Sequence, residues 1–347
     1  MVTRTRILAL PIVLLAAAGA PAPARAPQAP PRVLPPMLER YLAEVVQPTP
    51  TERAQMLGGR AVTKLLTADE SKEVAVFGAV WIDAPITRYL DAVRDIESFE
   101  RGGGFVVTKR LSDPPRLEDF AAMHLPAEDV ADLRTCRVGD CEVKLSERAL
   151  RRFQTEINWK GPNVQAAADA LMREILLEYV KGYLEGGNER LAVYRDQSRP
   201  TFVPQEFRTM VEGTPAANYM PDLRQYLLDY PSATLPNSTS FLYWQETRFG
   251  LKPTIRVSHL TIAETSGGAV VASKMLYASH YFWTGLEVRT LVPDPSRGRG
   301  FWFVTVNRGR SDGLGGFTGR LIRGRVRSES QKGSLAALEA TKKRLEG

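Results

Sequence analysis

Histidine is the side chain best suited to proton transfer near neutral pH, and this 347-residue chain has three, at 124, 259 and 280. His259 and His280 fall in predicted strands near aromatic residues, whereas His124 is predicted at a surface helix end. If residues 265–269 form a hairpin tip, His259 pairs near Met275 and His280 points to the opposite face. The two histidines are therefore predicted not to form a ligand pair. Each is either a polar member of the sheet or a cavity residue that hydrogen-bonds a ligand.

A carboxylate and two arginines accompany these strands. Glu246 and Arg248 are two residues apart and share a strand face, and Arg256 on the next predicted strand could reach them. Such a group is either a structural ion pair on a half-buried sheet or part of a polar site. An enzymatic alternative follows, in which a cyclase- or hydrolase-type cavity uses His259 or His280 with Glu246 for acid–base chemistry.

Motifs for other chemistries are missing from the sequence. There is no Gly-x-Ser-x-Gly elbow, no His-Glu-x-x-His, no Walker-type phosphate loop and no Cys-x-x-Cys. The glycines at 313, 315, 316 and 319 do not make a dinucleotide loop, because Thr318 occupies the position of the third glycine. No cofactor is predicted, and no metal, since two cysteines without nearby histidines are an incomplete ligand set.

The last hundred residues contain the elements that must position these side chains. Segments 241–248 and 254–264 alternate in polarity, 265–268 has turn chemistry, and 270–291 and 301–307 are rich in β-branched and aromatic residues. From about 318 to 345 the period becomes helical. A twisted antiparallel sheet must cover one face, and a long C-terminal helix can do so.

The first half adds a strong strand at 73–82, a helix at 86–98 introduced by Asp83-Ala84-Pro85, and a strand at 105–109. The segment of about 113–236 is instead predicted to be mainly helical, with helices at 147–157, 164–184, 204–211 and 220–228. The sequence leaves two interpretations of this segment: a helical insertion that roofs a cavity, or a different α+β arrangement.

The phrase Val80-Trp81-Ile82-Asp83-Ala84-Pro85, followed by Leu90 and Asp95, resembles the opening of the START-like, helix-grip proteins, the superfamily of polyketide cyclases and lipid-transfer domains. That family also ends in antiparallel strands and one long helix, so the resemblance covers roughly 73–110 and 240–346. It implies an α+β fold in which a twisted antiparallel sheet packs on the C-terminal helix, here within a domain spanning 73–347.

The resemblance also implies a cavity between sheet and helix, where the aromatic strands would suit a hydrophobic, lipid-like ligand. The predicted ligand-binding residues are Trp244, Glu246, Arg256, His259, Tyr277, His280, Tyr281 and Trp283. A binding or carrier protein is the first functional hypothesis. The acid–base enzyme and a non-catalytic envelope interaction protein are the alternatives.

The N-terminus has the order of a secretory signal peptide. Arg4 and Arg6 precede an apolar run at 7–18, and small residues favour cleavage after Ala24. Residues 25–36 then form a Pro/Ala-rich spacer, and 37–72 an N-terminal helical arm. Export to an extracellular or periplasmic space favours a disulfide between Cys136 and Cys141 over two free thiols.

The net charge of +7 is concentrated at the C-terminus. From 320 onward eight Lys or Arg residues face three Glu residues. This basic helix is either a solvated outer face or a surface for anionic membrane lipids. Nucleic acid is not predicted as a partner, because no stripe of interleaved aromatic and basic residues is present.

Overall fold

An eight-stranded antiparallel sheet organises the computed structural model, which describes residues 33–248 and 252–347. Its strands are β1 (Val62–Leu65), β2 (Glu73–Ile82), β3 (Phe105–Arg110), β6 (Ser238–Arg248), β7 (Pro253–Thr265), β8 (Gly268–Ala278), β9 (Phe282–Pro293) and β10 (Phe301–Ser311). They lie in the order β1-β2-β10-β9-β8-β7-β6-β3. A separate small hairpin pairs β4 (Val193–Tyr194) with β5 (Thr201–Phe202).

Helices cover both faces of this sheet. They are α1 (Pro36–Tyr41), α2 (Pro50–Leu57), α3 (Ile86–Arg94), α4 (Ile96–Phe99), α5 (Ala127–Leu133), α6 (Glu147–Glu156), α7 (Val164–Gly186), α8 (Val203–Glu212), α9 (Pro221–Asp229) and α10 (Gly316–Glu346). A π-helical turn, Leu42–Val46, extends α1. The structure is thus mixed α+β with a C-terminal helix, as the sequence predicts.

The two faces of the sheet have different covers. We call one the α10 face, where α3, α4 and α10 pack; its core includes Val80, Leu260, Leu291 and Phe303. We call the other the insertion face, which is covered by the segment 111–237 between β3 and β6 and, over β1, β2 and β10, by the N-terminal arm. Because both faces are buried, β2 is apolar almost throughout, and so is the first half of β10.

The last part of the sheet contains one strand more than the sequence predicts. The apolar stretch 270–291 is two strands, β8 and β9, joined through Ser279, His280 and Tyr281. Tyr281 makes the reversal in a left-handed conformation, with a φ of 61°. Neither glycine nor proline marks this turn, so composition did not reveal it.

Helix boundaries differ from the predicted ones where a capping residue sets the start or the end of a helix. The predicted helix 86–98 is two helices, because Asp95 leaves the helical conformation and caps α4 by accepting from Ser98 N at 3.3 Å. Thr49 caps α2, in a capping box with Glu52. The helices predicted within 113–236 are present as α6, α7, α8 and α9.

The 31-residue α10 runs along the edge strand β1 and its neighbour β2. Gln331 Nε2 donates to Thr63 O at 2.9 Å, and Lys342 Nζ donates to Trp81 O at 2.7 Å. The helix packs tightly on Gly78, where a Cβ would lie 2.8 Å from Leu338 Cδ1. The missing side chain at Gly78 therefore permits this packing.

Cys136 and Cys141 form a disulfide, as the sequence predicts. Among the described residues, no helix combines the length and apolar character needed to cross a membrane. The predicted signal peptide and most of the spacer, residues 1–32, lie outside the described residues.

Candidate functional site

Two of the predicted ligand-binding aromatics lie beneath the insertion. Trp244 stacks on Phe120 and donates from Nε1 to Asp119 O at 2.9 Å. Tyr277 is buried near Tyr179 and Tyr194. Both side chains therefore lie on the insertion face. A ligand bound between the sheet and α10, on the other face, would not reach them.

Glu246 and Arg256 lie on opposite faces, so the prediction that Arg256 could reach Glu246 is wrong. Arg256 pairs with Gln245 in the ladder, while Glu246 pairs with Ile255, one position away. Adjacent positions on a strand point to opposite faces. Glu246 contacts Arg248 at 3.5 Å, as predicted, and Arg256 Nη2 donates to Gln245 Oε1 at 3.3 Å on the α10 face.

His259 belongs to a buried polar group on the insertion face. It pairs with Lys274 and not with Met275, because the hairpin pairs Thr265 with Gly268 and this register runs unbroken back to His259. Its Nδ1 lies 2.9 Å from Tyr183 Oη, on α7. Burial and, to a smaller extent, Lys274 lower the pKa of His259 to about 3, so the ring is neutral at pH 7.

Lys274 is buried without a carboxylate partner among the described residues. Its Nζ donates to Asn188 Oδ1 and lies 3.4 Å from Tyr183 Oη. Burial lowers the pKa of this lysine well below its ordinary value. The contacts join the sheet to α7 and to the 3₁₀ turn Gly187–Arg190, so this group holds the insertion in place.

His280 also faces the insertion, which corrects the prediction that the two histidines lie on opposite faces. It sits in the reversal between β8 and β9, where strand alternation no longer applies. Its Nε2 lies 2.9 Å from Asp129 Oδ2 and its Nδ1 3.1 Å from Glu142 O. A buried histidine–carboxylate pair is what the enzymatic alternative required, but oxygen acceptors occupy both ring nitrogens, which leaves neither for a substrate.

Tyr281 and Trp283 complete this second polar group at the end of the sheet. Tyr281 Oη accepts a hydrogen bond from Lys252 N at 2.7 Å, and Trp283 Nε1 donates to Asp312 Oδ1. His259 and His280 are tied to different parts of the insertion, α7 and α5. The prediction that they are not a ligand pair is consistent with this separation.

The α10 face carries a buried charged cluster that the sequence analysis missed, apart from Arg256. Arg289 on β9 lies at its centre, 2.5 Å from Glu287 and 3.4 Å from Glu100. Glu100, which follows α4, accepts from Gln245 Nε2 at 2.5 Å. We call Glu100, Gln245, Arg256, Glu287 and Arg289 the arginine cluster.

Hydrogen-bonding capacity remains unused at this cluster. Arg289 Nη1 and the hydroxyl of Tyr89, on α3, are both buried and lie near each other, and neither makes a hydrogen bond of good geometry with any described residue. Burial would lower the pKa of Arg289, but Glu287, Tyr89 and Glu100 together hold it above its ordinary value, so the guanidinium stays charged. Unpaired buried donors are costly, and a ligand with an acidic group would satisfy this one.

Opposing effects act on the acidic member of the cluster. Burial raises the pKa of Glu100, and the positive charge of Arg289 opposes that increase. Burial likewise raises the pKa of the Tyr89 hydroxyl, which remains a neutral donor at pH 7. The buried Arg289 guanidinium of the cluster thus lies beside a neutral phenolic O–H, that of Tyr89.

The floor beside the arginine cluster lacks side chains. Gly285 and Gly309 are paired in neighbouring strands and both belong to the α10 face. A Cβ at Gly285 would meet the Met275 methyl at 3.4 Å, and one at Gly309 would meet the Phe282 ring at 3.7 Å. Glu287 is 29% exposed here. Beside the charged cluster, Gly285 and Gly309 thus leave a strip of the α10 face without side chains, which Met275 and Phe282 flank.

A sequence signal for this site does exist. In Phe282–Pro293, Glu287 and Arg289 alternate with the apolar residues Leu286 and Val288. Two charges on one face of an otherwise apolar strand indicate a buried or functional pair.

A surface pocket of about 530 Å³ lies between α3, α4 and β3. It is lined by Asp91, Arg94, Asp95, Ile96, Glu97 and Arg110. These side chains are mostly engaged in ion pairs, such as Arg94 with Glu264 at 2.7 Å. A charged lining of this kind does not suit an apolar ligand.

No group of histidine, cysteine and acidic side chains within the described ranges could hold a metal ion. Compared with models of known protein families and with curated proteins, the chain matches none. The function therefore has to be argued from the geometry.

Proposed function

We propose that this protein binds or carries a lipid-like molecule between the sheet and α10, with an acidic group of the ligand at Arg289. The observation that best supports this proposal is that the buried Arg289 Nη1 makes no hydrogen bond of good geometry with any described residue. The side-chain-free floor at Gly285 and Gly309 would accommodate the apolar part. An amphipathic ligand would match this combination of a buried arginine and a neighbouring strip of the sheet without side chains.

We further propose that residues 73–347 are a helix-grip domain of the START-like superfamily with an insertion at 111–237. The sheet strand β2 runs directly into α3, and β6 to β10 precede the long α10, which is the order of elements that the resemblance implies. The strand β2 also lies next to β10, so the first and last strands of the proposed domain are neighbours.

Ligand binding can be tested with a matched pair of probes. Oleate and oleyl alcohol share a chain but differ in the charged head, so the proposal predicts saturable oleate binding and weaker binding of the alcohol. Mass spectrometry of organic extracts of the purified protein should detect an acidic lipid. Equal affinity for both probes would overturn the role of Arg289, and absence of binding together with an empty extract would overturn the carrier function.

We also propose that the protein is exported and that its disulfide forms outside the cytoplasm. The Cys136–Cys141 bond supports this, because disulfides persist mainly in oxidising compartments. The intact mass of protein recovered from the extracytoplasmic fraction should correspond to a chain beginning at Arg25. A full-length cytoplasmic protein would contradict the proposal.

A further inference from the structure

The first turns of α10 expose apolar side chains to solvent. Phe317 is 80% exposed, Leu321 71% and Ile322 42%. Phe317 and Leu321 are four residues apart and therefore adjacent on one face of the helix. We call these three residues, with Arg320 and Arg325, the α10 patch.

The charge of this segment is entirely positive. From Gly313 to Ser328 the sequence contains four arginines and no acidic residue. Arg323 and Arg327 turn toward the body of the protein: Arg323 Nη2 donates to Leu314 O at 3.0 Å, and Arg327 pairs with Glu70. Arg320 and Arg325 are exposed, and neither forms an ion pair within the described residues.

The size of the patch argues against a stable protein interface. A specific interface needs about 800 Å² on each partner, which three side chains on one and a half helical turns do not provide. A bilayer requires no such area, since exposed apolar side chains enter the headgroup region while neighbouring arginines attract anionic lipids. Charge and area together favour a membrane surface.

We infer that the α10 patch docks the protein on an anionic bilayer surface. Phe317 and Leu321 enter the boundary between headgroups and acyl chains, and Arg320 and Arg325 contact lipid phosphates. This inference goes beyond the proposed ligand binding and does not depend on it. It assigns a function to the N-terminal turns of α10, whose exposed apolar side chains are not used for packing.

The test is co-sedimentation of the mature protein with vesicles of phosphatidylcholine alone or of equal parts phosphatidylcholine and phosphatidylglycerol. Binding should require phosphatidylglycerol and weaken with salt. Arg320→Gln with Arg325→Gln should reduce partitioning on the order of tenfold or more, since each arginine contributes about a fivefold change. Phe317→Ser with Leu321→Ser should reduce it at least as much.

Matched control variants separate the patch from general charge and apolarity. Arg60→Gln with Arg199→Gln removes two other exposed arginines, and Phe202→Ser removes a phenylalanine that is 45% exposed elsewhere. Both should retain wild-type partitioning. Absence of vesicle binding, equal losses in patch and control variants, or a dimer in light scattering that the patch substitutions abolish would overturn the inference. None of these results bears on oleate binding measured without vesicles.

Discussion

At the scale of single residues, Arg289 carries the proposed function because its charge is buried and only partly used. Glu287 and Glu100 contact it, yet Nη1 makes no hydrogen bond of good geometry with any described residue. Incomplete hydrogen bonding is expected of an arginine that binds a ligand, because the ligand supplies the missing acceptor. An arginine with a purely structural role gains nothing from an unused donor.

Arg289→Gln should weaken oleate binding about tenfold or more, because a charge-assisted hydrogen bond to the ligand is lost. Oleyl alcohol binding should change little. Titration calorimetry or displacement of a fluorescent fatty acid measures both affinities.

Arg310→Gln is the matched control for this substitution. Arg310 is equally buried in the neighbouring strand β10, but it points to the insertion face and pairs with Glu73 at 3.0 Å and Glu206 at 2.7 Å. Its loss should lower the unfolding free energy without changing the oleate affinity of the folded protein. Equal effects of the two variants on affinity would contradict the assignment of Arg289.

His259 predicts a pH dependence of stability. Its pKa is lowered from 6.5 to about 3 in the folded protein, so the unfolded chain binds the extra proton between these values. The contribution of the neutral His259 ring to the free energy of unfolding is therefore fully present above pH 6.5. It decreases as the pH falls, by about 2 kcal/mol between pH 6.5 and pH 5. Urea unfolding at several pH values measures it.

His259→Gln keeps a polar partner for Tyr183 but does not titrate. The unfolding free energy of this variant should decline less steeply with acid than that of the wild type, while the contributions of other titrating groups cancel in the comparison. Identical slopes for the two proteins would show that His259 is not held neutral.

Residue identity alone could not place the candidate site. The side chains that suggested chemistry, His259, His280 and Trp244, lie under the insertion, where they find hydrogen-bond partners from distant parts of the chain. Each of those partners, Tyr183, Asp129 and Asp119, is at least 76 residues from the side chain that it contacts and becomes its neighbour only after folding. The alternation of Glu287 and Arg289 was visible, however, and marks the buried site.

At the scale of elements, the approach of α10 to β2 depends on Gly78. Gly78→Ala places a methyl group 2.8 Å from Leu338 Cδ1 and 2.7 Å from Thr305 Oγ1, so it should lower the unfolding free energy by about 1–3 kcal/mol. Urea unfolding provides the measurement.

Gly324→Ala provides the control within α10 itself. No atom outside its immediate surroundings lies within 4 Å of a Cβ built there, so alanine should stabilise the helix by about 0.5–1 kcal/mol. If both substitutions stabilise the protein, α10 does not press on β2 as described.

Periodicity predicted the C-terminal strands and α10 because each element is long and regular. It did not separate β8 from β9, since their reversal at Ser279, His280 and Tyr281 has no glycine or proline. It also assigned one helix where Asp95 makes two. Both errors arise where one residue adopts an irregular backbone conformation that composition does not signal.

At the scale of the whole molecule, the sheet separates two polar regions with different surroundings. The insertion face is sealed by 111–237, and its histidines and Lys274 are hydrogen-bonded to that segment. The α10 face is covered at its edges, by α3 and α4 on one side and by α10 on the other, with the arginine cluster between them. A ligand site is therefore expected on the α10 face.

The most direct measurement is photo-crosslinking with a fatty acid that carries a diazirine near its methyl end, followed by peptide mapping. The account predicts labelling, displaced by excess oleate, within β8 to β10 or α10, near Met275 and Phe282. Displaceable labelling of the insertion, at residues 111–237, would contradict it, and so would labelling that oleate does not displace.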